Sequence, residues 1–295
     1  MVGMKGIGIV PNWKKRREVE AIITRIVTFC QQRNIQLFLP QSDELVAQEG
    51  VEVLPLESFV GKADVVIVLG GDGTILRVAR QFSGSHLPIL GVNLGQMGFM
   101  AEVEPPMLET SLQKLLDGHY KVRHRLMLSC RVFRQDRPVA EYTALNDVVI
   151  SKGPFSRIVY ADTYVNDKHL ETYPSDGLIV STPTGSTGYS LSAGGPIVNP
   201  ALDVMIITPI CPHLLHHRSV IVSSSERVSI RTLTRKDEVI LTVDGQVGFS
   251  LQDEDVVHVT RAPLTTPIIQ LQGSDFYTLM HSKLNKVIQR EPERV

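Results

Sequence analysis

The stretch VVIVLGGDGTILRVAR, residues 65–80, decides the fold and poses the chemical question. Five apolar residues lead into Gly70 and Gly71, then Asp72, Gly73 and Thr74, and an apolar pattern at helical spacing follows. A continuous apolar run of this length suits a strand buried on both faces, as in a parallel sheet covered by helices. The spacing predicts a strand at 64–70, a glycine turn, and a helix over 75–82.

Working outward from this unit, GIGIV (6–10), IQLFL (35–39) and LPILGVN (87–93) read as further buried strands. Val19, Ile22, Ile23, Ile26, Val27 and Cys30 recur at helical spacing, and residues 107–116 supply another amphipathic helix. Such alternation of strand and helix is the pattern of an α/β domain with a doubly wound, mostly parallel sheet, expected over residues 1–121. From residue 122 the period changes. RLMLSCRVFRQDRPVAEYTALNDVVIS reads as two strands about a turn and RIVYADTYVNDKHLETY as two more about Asn166 and Asp167. RVSIRTL, DEVILTVDGQVGFSL and DVVHVTRA are short, β-branched and turn-punctuated, so residues 122–272 are expected to form an all-β, sandwich-like domain. Phe276, Leu279, Met280, Leu284 and Val287 return to helical spacing, and residues 273–295 are expected to be a helix that packs back on the first domain.

The chain has 295 residues, 43% of them hydrophobic, which is enough to bury a real core and suggests two domains. Its 30 Lys and Arg against 31 Asp and Glu leave a formal net charge of -1, which argues against nucleic acid as a partner. The basic run at 14–17 opens a helix and reads as a solvated helix start. The apolar N-terminal run is too short for a signal peptide or a membrane span, so the expected location is the cytoplasm, with no membrane partner. Cys30, Cys130 and Cys211 are widely separated, as suits reduced thiols.

Three readings compete for the turn at 70–74. A tight strand-to-helix turn capped by Asp72 or Thr74 explains it structurally. A dinucleotide fingerprint fails because its third glycine would fall at Leu76, and a P-loop fails for want of its lysine. What remains is a set of amides able to approach phosphate at a helix N-terminus, with an anion built in. Two unit charges ~4 Å apart at an effective dielectric of ~20 repel by roughly 4 kcal/mol, so a carboxylate does not belong there for phosphate binding alone. It fits if a divalent cation lies between them, or if Asp72 faces a hydroxyl that attacks phosphorus and takes or directs its proton. The chemistry expected is phosphoryl transfer to an alcohol.

A second stretch, SDGLIVSTPTGSTGYSLSAGGPIV (175–198), joins an apolar strand to a long run of small hydroxyls and glycines with one tyrosine. It reads either as an exposed loop or as a binding loop with many short hydrogen bonds to a polar ligand and Tyr189 stacking on a base. Asn146 and Asp147 read as a turn, and the Asp-Gly of VDGQV (243–247) as a type I′ hairpin turn. Cys211, His213, His216 and His217 match no usual zinc spacing and are expected to pack or face solvent.

GGDGT at 70–74, LND at 145–147, TPTGSTGYSLSAGGPIV at 182–198 and DGQ at 244–246, in this order, resemble the bacterial NAD kinases. GVNLGQMGF (91–99) and TPICPH (208–213) extend the likeness over most of the chain. GGDGT alone is shared with diacylglycerol and sphingosine kinases; the long Thr-Gly-Ser-Thr stretch is more specific. The resemblance implies ATP-dependent phosphorylation of the adenosine-ribose 2′-hydroxyl of NAD to give NADP, with a divalent metal, usually magnesium, and a homodimer or homotetramer. It implies Asp72 as proton acceptor, Gly73 beside the same ribose, and Gly70, Gly71, Gly73 and Thr74 near the ATP phosphates. Asn146 and Asp147 would hold ribose hydroxyls. Asp176, Thr184, Thr187, Gly188, Tyr189, Ser190 and Ser192 would line the adenine and nicotinamide pockets, Gln246 would sit near the nucleotide, Phe99 would be an apolar wall, and Arg157 a basic contact. No residue is assigned as a metal ligand. Two departures stand out: Gly188 where the family commonly has alanine, and Pro174 where many relatives carry a charged residue. The alternatives are a lipid kinase using the same turn, which would need a membrane-facing surface, and a nucleotide-binding regulatory module without chemistry, against which the intact Asp72 argues.

Overall fold

The computed structural model describes residues 4–42, 49–95, 98–153, 158–214, 216–233, 238–273 and 275–286. The chain divides into two compact units, Met1–His124 with Thr266–Val295, and Arg125–Thr265.

In the first unit the strands are β1 (Gly6–Pro11), β2 (Gln36–Pro40), β3 (Val51–Leu54), β4 (Val65–Gly70), β5 (Ile89–Asn93) and the short β6 (Ala101–Val103), with helices α1 (Arg16–Gln31), α2 (Asp72–Gln81) and α3 (Leu108–Leu116). The sheet runs in the order β3-β2-β1-β4-β5, all parallel. Every residue of β1 and β4 is buried, which explains their unbroken apolar sequences. Ile7, Ile9, Leu37, Leu39, Ile67, Leu69 and Leu90 meet the apolar stripe of α1 (Val19, Ile22, Ile23, Ile26) and Leu108, Leu112 and Leu115 of α3. Each such side chain, fully withdrawn from water, contributes about 1.5–3 kcal/mol. Phe38, Phe59 and Phe82 form a second cluster through tilted and stacked rings. Cys30 lies on the buried face of α1, and burial pushes its thiol up to about 11, which keeps it unreactive.

Strand order reverses between β1 and β4: from β1 the chain adds β2 and β3 on one side, then returns to place β4 and β5 on the other. Ligands of open α/β sheets bind beyond the carboxyl ends of the strands at such a switch point. Gly70 ends β4, and α2 begins at Asp72 rather than at Ile75 as the apolar spacing suggests, because Gly71 takes an extended conformation and serves as the N-cap.

The second unit is a β-sandwich. Continuing in chain order, β7 (Tyr120–Arg134) and β8 (Arg137–Ala144) are followed by β9 (Asp147–Lys152), β10 (Val159–Val165), β11 (Lys168–Ser175) and β12 (Gly177–Ser181). A one-turn helix α4 (Tyr189–Ser192) precedes β13 (Val204–Ile210), β14 (Val220–Ser223), β15 (Val228–Leu233), β16 (Val239–Val243), β17 (Val247–Leu251) and β18 (Val256–Leu271); α5 (Phe276–Lys286), which follows, belongs to the first unit. One layer runs β11-β10-β15-β18-β7-β8 and the other β14-β13-β12-β9-β16-β17. Leu128, Cys130, Val159, Ala161, Ile230 and Val257 from the first layer pack on Val148, Ile150, Leu178, Val180, Ile207 and Leu241 from the second. The segment expected to hold two strands about one turn holds three, β7, β8 and β9, since Leu145 and Asn146 break the run before Asp147. Asn166 and Asp167, with φ of 48° and 66°, make the two-residue turn expected between β10 and β11.

Candidate active site

Asp72 opens α2, where a negative charge suits the helix dipole, but its carboxylate does more than close a helix end. Oδ2 accepts the backbone N–H of Phe99 at 2.6 Å, and Oδ1 accepts those of Met100 at 3.0 Å and Ala101 at 3.2 Å. A carboxylate offers about four acceptor positions, and among the described residues three amides occupy three of them and fix its orientation. Gly98 permits this approach, because a Cβ built there would overlap the carboxylate. The rest of the turn lies at the strand ends. Leu94 donates its N–H to the Gly70 carbonyl at 3.3 Å, Asn12 donates its own to Leu69 at 2.9 Å, and Lys15 donates its ammonium to the Leu94 carbonyl. Gly71 and Asp72 are half-buried, Gly73 is exposed and Thr74 is buried. Two residues that the sequence reading passed over stand here: Asn93, opposite Gly70 in the β4–β5 register with its side-chain amide folded onto Gly95, and Lys15. Neither has a sequence signal beyond its position at a strand end or the start of a helix.

In the β-sandwich a different cluster is built around Asp244. Its buried carboxylate accepts three consecutive amides, Leu145 at 3.0 Å (Oδ2), and Asn146 at 2.8 Å and Asp147 at 3.1 Å (both Oδ1). The hairpin of DGQ is therefore a turn, with φ of 50° at Asp244 and 62° at Gly245, and at the same time the clamp on the LND segment. Asp147 is buried next to it, and its carboxyl is pushed up to about 7, by burial first and by the Asp244 charge second. Thr182 ties in the long loop: its hydroxyl donates to the Leu145 carbonyl at 2.6 Å and accepts the Gly185 amide at 3.0 Å, while its own N–H donates to the Asn146 carbonyl at 2.8 Å. Gly185 passes so close to the Asn146 carbonyl that a Cβ there would overlap it. A Cβ at Gly188 would come within 3.4 Å of Asn146 Nδ2 and 3.9 Å of Asp147 Oδ2, which places Gly188 beside the pair. Among the described residues the buried Asn146 side-chain oxygen has no hydrogen-bond partner, so a ligand donor would relieve its desolvation.

The loop residues separate by environment. Thr184 and Ser190 are buried, and the Ser190 hydroxyl is shared with Thr208 at 3.0 Å, so Ser190 holds the loop in shape. Thr187 bonds back to the Thr184 carbonyl, while Tyr189, Ser192 and Gln246 are exposed. Asp176 forms a half-exposed ion pair with Lys152 at 2.7 Å. Phe99 is half-buried and reaches Asp72 through its amide. Arg157 lies outside the described residues. Of the four candidate metal ligands in the 211–219 segment, His216 and His217 come together with Glu171, whereas Cys211 and His213 do not join them.

A glycine turn with an oriented carboxylate lies at the switch point of the doubly wound sheet, where open α/β sheets bind their ligands. The ATP-NAD kinase N-terminal domain matches residues 16–120, and the ATP-NAD kinase C-terminal domain matches residues 145–271. The chain belongs to the NAD kinase family. The NAD kinase of Natranaerobius thermophilus is 45% identical over 95% of this chain and 98% of its own length, and that of Moorella thermoacetica 44% identical over 96% and 90%. The fold is shared with yeast NADH kinase complexed with NADH, with a TM-score of 0.84, 24% identity, and coverage of 99% of this chain and 90% of that one. It is also shared with an NAD kinase from Archaeoglobus fulgidus in complex with ATP, with a TM-score of 0.74, 23% identity, and coverage of 95% and 98%.

Proposed function

We propose that this chain transfers the γ-phosphoryl group of ATP to the adenosine-ribose 2′-hydroxyl of NAD, giving NADP, with Asp72 as the proton acceptor. Family membership supports the reaction over the lipid-kinase and non-catalytic alternatives. The observation that supports the role of Asp72 is its geometry: three amides hold the carboxylate at the switch point, and among the described residues they leave about one acceptor position open. The attacking hydroxyl donates to that position, and its proton passes to the carboxylate as the oxygen bonds to phosphorus.

Gly70, Gly71, Gly73 and Thr74 offer the amides and hydroxyl at the start of α2 to the triphosphate. In the β-sandwich, Asn146 and Asp147 receive ribose hydroxyls, for which the unpartnered Asn146 oxygen is suited. Gly188, Tyr189 and Ser192 contact the dinucleotide, Tyr189 by stacking its exposed ring, and Asp176, Thr184, Thr187, Gln246, Phe99 and Arg157 complete the binding residues. Ser190 acts by shaping the loop through its hydrogen bond with Thr208. A divalent cation, magnesium in this proposal, neutralises phosphate charge when bound. The donor set fits one carried mostly by phosphate oxygens and water, since the Asp72 carboxylate has little acceptor capacity left for it. Residues 122–272 are proposed as the NAD-binding and oligomerising domain of a cytoplasmic homodimer or homotetramer, and the terminal helix as packing on the α/β domain. Among the described residues no helix is long and apolar enough to cross a membrane.

Incubating purified protein with magnesium, ATP and NAD and following NADP with a coupled dehydrogenase tests the reaction. Steady NADP formation is expected, and its absence with retained NAD binding would overturn it.

A further inference from the structure

The loop that follows β13 carries two adjacent histidines against β11. Among the described residues, one group of three metal-type ligands lies close enough to share an ion: Glu171, His216 and His217, one ligand atom from each, all within 4.8 Å of one another. His217 is the member that demands an explanation. Its side chain is 1% exposed, and among the described residues neither ring nitrogen has a hydrogen-bond partner. A buried polar group left unsatisfied carries an uncompensated desolvation cost, and an imidazole presents two such atoms. Its Nε2 instead faces Glu171 Oε2 at 3.6 Å, too far for a hydrogen bond.

The surroundings already hold the ligands in place. Glu171 Oε1 accepts the Thr172 amide at 3.0 Å, which leaves Oε2 turned to His217. The Tyr173 ring packs edge-on against His217 with centroids 5.0 Å apart, and the His216 ring packs edge-on from another side at 4.5 Å. The His213 amide donates to the Pro174 carbonyl at 3.0 Å, so the loop is laid along β11 before any ion is considered.

We propose that Glu171, His216 and His217 form a binding site for a zinc-class divalent metal ion. Two imidazoles and one carboxylate are a donor set that borderline transition metals accept, with water as the fourth ligand; magnesium, which prefers an all-oxygen shell, does not fit it. Metal–ligand bonds of ~2.1 Å in tetrahedral array place ligand atoms roughly 3.4 Å apart, so small rotations close the site. The ion would satisfy one buried nitrogen of His217 and fasten the loop to β11. Glu171 lies 45 positions before His216, which is why spacing alone pointed to no zinc pattern.

The test uses the full chain, stripped with a chelator and dialysed against zinc chloride, with bound metal counted by elemental analysis and thermal unfolding followed in parallel. One zinc per chain is expected, with a rise in Tm on zinc addition. His216→Ala and Glu171→Gln, both at positions that tolerate a polar or small replacement without opening the core, should each weaken binding at least tenfold and abolish the rise in Tm, while His213→Ala and Cys211→Ser should retain both. Magnesium chloride in place of zinc should leave Tm at its stripped value. A wild-type chain that binds no zinc above background, or His216→Ala and Glu171→Gln proteins that bind it as the wild type does, would overturn the proposal.

Discussion

At the scale of single residues, Asp147 is a carboxyl whose environment opposes its charge. Its folded-state value of about 7 lies above the ordinary carboxylate range, so the native state holds the proton more tightly than the unfolded chain does. The stabilising share of that proton is fully present below about pH 4 and is lost as pH rises through about 7; above that, the buried ionised group remains at a cost. Asp147→Asn should therefore raise Tm at pH 8, and the gain should shrink on going to pH 5, by on the order of 2 kcal/mol between the two. Calorimetric scans at both pH values check this; a gain independent of pH would contradict the assignment. The same carboxyl is proposed to receive a ribose hydroxyl, so added stability should come with weaker NAD binding. Asp72 stands out in the sequence because a carboxylate in a phosphate-type turn is chemically out of place, and the structure holds it in place by three amides. The clamp made by Asp244 was not, because an aspartate before glycine in a hairpin already has a sufficient local reason to be there.

At the scale of elements, the contact between the β16–β17 hairpin and the turn before β9 has a testable energy. Asp244→Ala would leave the Leu145, Asn146 and Asp147 amides without their acceptor, two of them in buried residues, at about 1–3 kcal/mol for each buried donor. Urea unfolding should show a loss of at least ~2 kcal/mol, and an unchanged midpoint would mean that water replaces the carboxylate. Buried parallel strands and two-residue hairpins were readable from their apolar runs and turn residues, as β1, β4 and the β10–β11 pair show. β3 and β13 went unread. β3 is short and only partly buried, so its alternation is weak, and β13 contains Pro209, which lowers the strand signal of an otherwise buried run. The apolar spacing puts the start of α2 at Ile75, three residues after its observed start at Asp72, because such spacing reports the buried face and not the cap.

At the scale of the whole molecule, the change of hydrophobic period near residue 122 made the α/β and all-β parts of the chain legible, and the order of motifs made the family legible. The pairing of Glu171 with His216 and His217 could not be read, since it depends on how a loop lies along a strand. Oligomerisation is a property of this scale, and light scattering on the purified chain should give the mass of a dimer or tetramer; a 32.7 kDa species at micromolar concentration would remove that part of the proposal. The central claim is tested most directly by turnover of Asp72→Asn with magnesium, ATP and NAD, measured together with NAD affinity. The account predicts that kcat falls by about 10²–10⁴-fold while NAD still binds. A variant that keeps near wild-type kcat would show that the carboxylate only anchors the amides of Phe99, Met100 and Ala101, and would contradict it.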